Sequence, residues 1–296
     1  MRVMVTGAEG MLGRAVVARL APKHDVVGVD IGDFDITDHA AAEAAIAAAR
    51  PDLVCHCAAY TDVDGCEREP DRAFRVNALG TWNTASACSA AGANMIYIST
   101  DFVFDGDKGE PYSEYDAPRP LGAYGASKLA GERHVRELVQ RHFIVRTAWL
   151  FAEHGHNFVL SILRKAQELA AAAVASGGAP VLRVVADQIG SPTYARDLAD
   201  AIARHIVDSH LYGTYHITNA GSCSWAEFAA EALRYAGSPA QVEPISWKDW
   251  PSPTRRPAYA VLRHLSLELQ GRDDIRPWQE ALAETVARTQ LGGDAG

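Results

Sequence analysis

Short apolar runs alternate with longer amphipathic stretches through the first half of the chain. Val, Ile and Leu dominate the runs, which is typical of strands buried on both faces of a parallel sheet. The runs lie at 2–6, 25–30, 52–56, 94–100 and 142–147. The stretches between them predict helices at about 11–21, 39–50, 71–91 and 122–141. Strands that alternate with helices of this length need crossovers, so the pattern predicts an α/β fold with a doubly wound parallel sheet.

The alternation becomes less regular after residue 150. It predicts helices at about 156–173, 195–208 and 224–236, with strands near 181–185 and 213–217. The Pro- and Trp-rich segment 243–257 is expected to be largely irregular surface. We therefore expect residues 1–150 to form a nucleotide-binding domain that also receives segments near 187–220. Residues 151–296 are expected to form mainly a smaller carboxyl-terminal, substrate-binding lobe.

Composition narrows the class of protein. The chain of 296 residues is 48% hydrophobic and 22% charged, as in ordinary globular proteins. Its net charge of −9 argues against binding to nucleic acid or to an anionic membrane, because both favour an excess of Lys and Arg. No apolar stretch is long enough to cross a bilayer. The five cysteines lack a C-x-x-C spacing, which predicts no zinc site and favours a reduced, cytoplasmic location.

A glycine-rich loop follows the first run. The stretch G-A-E-G-M-L-G places glycines at Gly7, Gly10 and Gly13, and Met11 and Leu12 begin the following helix. Such a loop lets backbone N–H groups approach a pyrophosphate at a helix N-terminus, which predicts binding of NAD(P) in a Rossmann fold. Asp30 ends the second run, where a carboxylate accepts from a ribose hydroxyl.

The cofactor choice stays open at this stage. Asp30 favours NADH, because a carboxylate repels a 2′-phosphate, whereas Arg14 directly after the loop favours NADPH weakly.

Three further residues suggest carbonyl chemistry. Thr100 ends the fourth run, and Tyr124 and Lys128 are four residues apart, on one face of a helix. The hydroxyl, phenol and ammonium are then able to surround one carbonyl oxygen at the carboxyl edge of the sheet. Reduction of a carbonyl needs a proton donor, and a tyrosine becomes a better one beside a cation. These residues are predicted to be catalytic.

The chain resembles the dTDP-4-dehydrorhamnose reductases, a family within the extended short-chain dehydrogenase/reductases. The likeness runs from Gly7 to Leu262 in seven segments that keep one order. They are G-A-E-G-M-L-G, C-A-A-Y-T-D-V-D-G-C-E (57–67), S-T-D-F-V-F-D-G (99–106), Y-G-A-S-K-L-A-G-E (124–132), R-T-A-W-L-F (146–151), D-Q-I-G-S-P-T (187–193) and R-R-P-A-Y-A-V-L (255–262). The resemblance implies an NADPH- or NADH-dependent reductase of a nucleotide-linked 4-keto-6-deoxy sugar.

The resemblance also assigns roles to individual residues. Tyr124 matches the proton donor, Lys128 its partner and cofactor anchor, and Thr100 the hydroxyl that orients the sugar carbonyl. Further cofactor contacts are implied for Asp35, Ile36, Ala58, Ala59, Tyr60 and Tyr124, a sugar-facing position for Asp101 and Trp149, and an architectural one for Asn77. Arg255 and Arg256 are suited to the nucleotide diphosphate, since a guanidinium binds such an anion bidentately. A solvated pair of arginines is nearly as good an interpretation.

Several alternatives stay open. Phe102 stands where the family commonly has tyrosine, which leaves the exact sugar undecided. A related reductase or epimerase of a natural-product pathway, such as a dihydrostreptose-type enzyme, fits the same motifs, as does a non-catalytic NAD(P)-binding regulatory subunit. Neither the base nor the oligomeric state follows from the sequence, and a homodimer is compatible with it. No metal is predicted, because Arg14 and Ala15 replace the carboxylate with which some family members bind magnesium.

Overall fold

A six-stranded parallel sheet forms the centre of the protein. The computed structural model describes residues 1–176 and 179–293. The central strands are β1 (Arg2–Thr6), β2 (Asp25–Val29), β3 (Leu53–His56), β4 (Asn94–Thr100) and β5 (His142–Thr147). The sheet order is β2, β1, β3, β4 and β5, followed by a sixth strand from residues 213–216. The predicted α/β class and its doubly wound parallel sheet are confirmed.

Shorter strands form three separate pairs beside this sheet. The remaining strands are β6 (Leu150–Phe151), β7 (Val181–Val185), β8 (Ile189–Gly190), β9 (Thr193–Tyr194), β10 (Gly213–His216), β11 (Cys223–Ser224) and β12 (Gln241–Ile245). β6 pairs with β9, β8 with β11, and β7 with β12, while β10 is the sixth strand of the central sheet. The division into a nucleotide-binding domain and a smaller lobe stays a prediction.

The helices agree with the sequence pattern except at a few places. They are α1 (Met11–Leu20), α2 (His39–Ala49), α3 (Val63–Arg68), α4 (Pro70–Phe74), α5 (Thr81–Ala91), α6 (Ala123–Leu138), α7 (Phe158–Ser176), α8 (Ala195–Ala201), α9 (Trp225–Tyr235), α10 (Leu265–Leu269) and α11 (Trp278–Gly293). The predicted helix at 71–91 is divided by a π-helical segment, Arg75–Gly80, and α8 continues into another, Ile202–Ile206. The pattern did not predict α3, α10 or α11. In the described ranges, no helix has the length and apolarity to span a membrane.

The irregular segment predicted at 243–257 is partly regular. Its first residues belong to β12, and Trp247–Asp249 form a 3₁₀ turn. α7 covers the first part of the alanine-rich stretch 170–180, and residues 177 and 178 lie outside the described residues.

The sheet is buried on both faces, as its unbroken apolar strands predict. Val3 and Val5 of β1 pack on one side with α1 and α8, whereas Met4 packs on the other side with Ile46 of α2 and Val135 of α6. All five of these side chains are buried. Because consecutive strand residues point to opposite faces, each face of β1 requires apolar residues.

The direction of the winding reverses between β1 and β3, and this is where a parallel sheet of this type opens a crevice. The loops after the two strands meet there. Gly7 has a φ of 67°, and a Cβ at this position would lie 2.7 Å from the backbone nitrogen of Ala58. Only glycine fits both the left-handed backbone and this close approach.

Candidate active site

A cavity of about 1710 Å³ opens at the carboxyl edge of the sheet and contains most of the predicted site residues. Those in its lining are Gly7, Gly10, Met11, Leu12, Gly13, Asp30, Asp35, Ile36, Ala58, Ala59, Thr100, Asp101, Tyr124, Lys128, Trp149 and Arg256. Tyr60 and Arg255 are the predicted site residues outside this lining. One continuous space therefore connects the glycine loop with the Thr, Tyr and Lys set.

The glycine loop is hydrogen-bonded to Asp30, the residue that follows β2. The Asp30 carboxylate accepts hydrogen bonds from the backbone nitrogens of Glu9 at 2.9 Å and Ile31 at 2.8 Å. Arg14 Nε donates to the Glu9 carbonyl at 2.8 Å. The close approach at Gly7 and the carboxylate beyond β2 are the features that a dinucleotide requires, so these residues fit NAD(P).

The predicted adenine-side residues lie on the loop after β2. Asp35 Oδ1 accepts from the Thr37 backbone nitrogen at 2.8 Å, and the Ile36 carbonyl accepts from Asn83 Nδ2 at 2.9 Å. These bonds fix the backbone of the loop where it borders the cavity.

Asn77 connects three segments around the site. Its amide accepts from the Tyr60 nitrogen at 2.8 Å and donates to the Tyr60 carbonyl at 3.0 Å. It also donates to Ser127 Oγ on α6 at 3.1 Å. The Tyr60 ring lies against the Arg72 guanidinium, 4.5 Å from ring centroid to Cζ. Tyr60 therefore supports the loop between β3 and α3 through its backbone.

Thr100 and Asp101 end β4 as a hydrogen-bonded pair. Thr100 Oγ1 donates to Asp101 Oδ1 at 3.0 Å and accepts from the Phe102 nitrogen at 3.2 Å. Both side chains are buried. Burial raises the pKa of Asp101 to about 7, although the hydrogen bond from Thr100 opposes the shift. Asp101 thus changes its charge near neutral pH.

Tyr124 lies in the first turn of α6. Its ring meets the edge of Phe102 with 5.4 Å between centroids, in the place where the family commonly has a second tyrosine. Burial raises the pKa of Tyr124 above its ordinary value, and the Thr100 hydroxyl opposes this. Glu67 of α3 accepts from the backbone nitrogen of Ala123 at 3.0 Å, which places a carboxylate at the start of α6.

Lys128 is 3% exposed. Its Nζ lies 4.2 Å from the centroid of the Tyr97 ring, a cation–π contact. Burial lowers the pKa of Lys128 to about 7, and the charge of Glu132, one turn further along α6, opposes the shift. The tuning of Tyr124 by Lys128 stays a prediction.

Two predicted substrate residues lie in different loops of the cavity wall. Trp149 stacks on Trp225 with ring centroids 3.4 Å apart and an interplanar angle of 8°. Arg256 Nη2 donates to Asp64 Oδ1 at 3.2 Å, and both residues line the cavity. Arg255 is exposed. The predicted roles of these three residues stay predictions.

The sequence pattern missed other lining residues, including His156 and Trp225. His156 belongs to H-G-H-N (154–157), in the loop between β6 and α7. The signal for Trp225 was S-W-A-E, whose Ser224 and Glu227 form a capping box at the start of α9. In the part of the chain that the structure describes, no group of three or more His, Cys, Asp or Glu side chains is arranged to hold a metal ion.

The sheet order, the glycine loop and the cavity together define a Rossmann-type nucleotide-binding protein. The family model described as the RmlD substrate binding domain matches residues 1–291. A dTDP-4-dehydrorhamnose reductase of Streptomyces griseus is 40% identical over 292 residues, covering 96% of this chain and 92% of that protein. The chain belongs to this family, as its motifs indicated.

Solved structures agree with this assignment. A dTDP-4-dehydrorhamnose reductase of Clostridium acetobutylicum is 40% identical with a TM-score of 0.92, covering 98% of this chain and 100% of that one. The enzyme of Bacillus anthracis, solved in complex with NADP, is 41% identical with a TM-score of 0.91, covering 97% and 99%. The Rossmann fold expected from the glycine loop is confirmed.

Proposed function

We propose that this chain is an NADPH- or NADH-dependent oxidoreductase that reduces dTDP-4-dehydro-L-rhamnose to dTDP-L-rhamnose. The observation that carries the proposal is that Thr100, Tyr124 and Lys128 line the same cavity as the glycine loop. The substrate is inferred from the relatives, which are named dTDP-4-dehydrorhamnose reductases. A location in the cytoplasm, a homodimer and the smaller substrate-binding lobe belong to the same proposal.

In the proposed reaction, residues of the chain donate a proton, orient the keto oxygen and hold the cofactor. When bound, the reduced nicotinamide supplies the hydride. Tyr124 gives its proton to the keto oxygen, and the neighbouring ammonium of Lys128 stabilises the tyrosinate that forms. Thr100 holds the keto oxygen beside the phenol. Gly7, Gly10 and Gly13 hold the pyrophosphate, and Asp30 accepts from the adenosine ribose.

A substitution of the proton donor tests the proposal. NADPH and NADH oxidation is followed by absorbance with dTDP-4-dehydro-L-rhamnose, and the product is identified. Tyr124→Phe is expected to lower kcat by about 10² to 10⁴, with cofactor affinity unchanged, because only the proton is lost. The matched control is Tyr115→Phe, since Tyr115 is exposed.

Each competing function predicts a different result. An epimerase interconverts nucleotide sugars without net oxidation of NADPH or NADH. A regulatory subunit binds the cofactor and turns over no sugar. A reductase of a related natural-product sugar oxidises the cofactor faster with that sugar than with dTDP-4-dehydro-L-rhamnose. Turnover near wild type in Tyr124→Phe removes the assignment of Tyr124.

A further inference from the structure

The carboxylate of Glu132 is fully buried, one turn after Lys128 on α6. Its Oε1 accepts hydrogen bonds from Ser99 Oγ at 2.6 Å and from Arg146 Nε at 2.8 Å. Its Oε2 accepts from Arg146 Nη2 at 2.8 Å and from Arg136 Nη2 at 2.9 Å. Because each bond involves an ionised group, this set of bonds fixes the side chain firmly.

The partners of Glu132 include residues on the two strands that end at the catalytic edge. Ser99 of β4 immediately precedes Thr100, and it is in register with Arg146 of β5. Arg146 is followed by Thr147, which lines the cavity. The carboxylate therefore joins α6 to two neighbouring strands, directly before the point where both strands reach the active site.

A second contact joins α6 to the same face of β4. Tyr97 and Ser99 point to one face of the strand, since they are two residues apart. Tyr97 Oη donates to the Lys128 carbonyl at 3.1 Å, and a Cβ at Gly131 would collide with that oxygen. Two alternate residues of β4 thus hold Lys128 and Glu132, which sets the position of the helix along the strand.

The charge of Glu132 also acts on Lys128. Burial raises the pKa of Glu132, but the hydrogen bonds and charges of its partners lower that pKa below its ordinary value overall, so the carboxylate is ionised at neutral pH. Burial lowers the pKa of Lys128, and the charge of Glu132 is the largest influence that opposes this shift. Other titratable side chains around Lys128 are Cys57, Cys66, His56 and Tyr97. Loss of the Glu132 charge is therefore expected to make the Lys128 ammonium less stable.

We propose that Glu132 is a positioning residue, which holds α6 against β4 and thereby keeps Tyr124 beside Thr100. The proton donor and the hydroxyl that orients the keto oxygen lie on different elements. A displacement of about 1 Å between such groups lowers a rate by about a hundredfold. The bonds of Glu132 to both elements resist that displacement. This inference rests on the proposed function, since it concerns the reduction of a keto sugar.

Two variants separate the charge of the carboxylate from its bond to β4, and NADPH oxidation with dTDP-4-dehydro-L-rhamnose is followed across the pH range. Glu132→Gln keeps the shape and removes the charge. It is expected to lower kcat about tenfold to a hundredfold and to move the basic limb of the kcat/KM profile down by about one pH unit, because Lys128 then loses its proton more readily. Ser99→Ala keeps the charge and is expected to lower kcat about threefold to tenfold with the basic limb unmoved.

Asp197→Asn is the matched control. Asp197 accepts two hydrogen bonds from Arg276, at 2.8 Å each, and lies outside the cavity lining, so this variant also loses a bidentate ion pair. Its kcat is expected to stay within about twofold of wild type, with the basic limb unmoved. The control therefore reports what the loss of a structural ion pair does by itself.

Glu132→Gln with the kcat of the control overturns the inference. A lower kcat with an unmoved basic limb gives Glu132 a structural role alone and overturns it as well. If Glu132→Gln fails to fold, Ser99→Ala carries the test, and a wild-type kcat in that variant is then the contrary result. A wild-type protein that does not oxidise NADPH with this sugar overturns the proposed function, and with it the inference, before any variant is compared.

Discussion

The amide of Asn77 donates a hydrogen bond to Ser127 Oγ across 3.1 Å, and Ser127 donates in turn to the carbonyl of Tyr124 at 2.9 Å. The π-helical segment that contains Asn77 is thereby joined to the first turn of α6. The same amide also bonds to the backbone nitrogen and carbonyl of Tyr60. The buried side chain of Asn77 therefore fixes the loop between β3 and α3 relative to Tyr124.

Asn77 and Ser127 are expected to contribute unequally to the free energy of unfolding. Asn77→Ala leaves the Tyr60 backbone groups without this partner and is expected to lower the free energy of unfolding by about 2–3 kcal/mol. Ser127→Ala removes a single hydroxyl and is expected to cost about 1 kcal/mol. Urea denaturation measures both values. Equal losses in the two variants contradict the central position of Asn77.

The buried Lys128 is expected to lower the free energy of unfolding, although the proposed reaction requires it. Its pKa is about 7 when folded, against about 10.4 in an unfolded chain. Below pH 7 both states are protonated and the folded state bears the full cost of a buried charge. Between pH 7 and 10 the unfolded state binds more protons, so the wild-type protein gains stability as the pH rises.

Lys128→Met is therefore expected to raise the free energy of unfolding on the order of 2–4 kcal/mol at pH 6, and the gain is expected to shrink towards pH 10. Urea denaturation across this range measures it, and activity is lost at every pH. Lys165→Met, at an exposed site, is the control without this pH dependence. A variant less stable than wild type at pH 6 contradicts the burial argument.

Cofactor binding is expected to need glycine at position 7 for its close approach to Ala58, in addition to its left-handed backbone conformation. Gly7→Ala introduces a Cβ 2.7 Å from the Ala58 nitrogen, and the loop must move away from the site of the pyrophosphate. Gly92→Ala is a matched control, because Gly92 has a φ of 71° and a Cβ added there would meet no atom within 4 Å.

Fluorescence titration with NADPH measures the outcome. Gly7→Ala is expected to weaken binding by about tenfold or more, since a shifted loop no longer presents its N–H groups. Gly92→Ala is expected to lower stability by about 1 kcal/mol through backbone strain and to leave NADPH binding unchanged. Similar NADPH affinities in both variants refute the role given to the contact with Ala58.

Arg256 is expected to exchange Asp64 for the substrate. Both side chains line the cavity and are about one-third exposed, so a diphosphate is able to compete for the guanidinium. Arg256→Gln is expected to raise the KM for dTDP-4-dehydro-L-rhamnose about tenfold, with the KM for NADPH unchanged. Arg263→Gln breaks a comparable ion pair with Glu268 outside the cavity and serves as the control. An unchanged sugar KM in Arg256→Gln removes this residue from the substrate site.

The sequence predicted the elements that obey a simple periodicity. The five apolar runs became β1 to β5, because strands buried on both faces admit little but apolar residues. The π-helical segment at 75–80 was not predictable, since it keeps the helical pattern and differs only in its hydrogen bonds. α11 was missed although Trp278 and Leu282 are buried, because its polar and apolar residues contrast weakly.

The site was predictable to the extent that its residues follow strand ends or share a helix face. Thr100 meets the first condition, and Tyr124 and Lys128 meet the second. Trp225 lies 76 positions after Trp149, and only the pairing of β8 with β11 brings the two rings together. The pKa of Lys128 was equally hidden, because it depends on burial against Tyr97 and not on spacing along α6.

The placement of β10 bears on how the chain matures during translation. β10 ends at His216 yet lies beside β5 in the central sheet, so the outer edge of β5 has no neighbour until that late segment has left the ribosome. Nascent chains stalled before residue 213 therefore present an unpaired strand edge, which is a surface that chaperones and other nascent chains recognise.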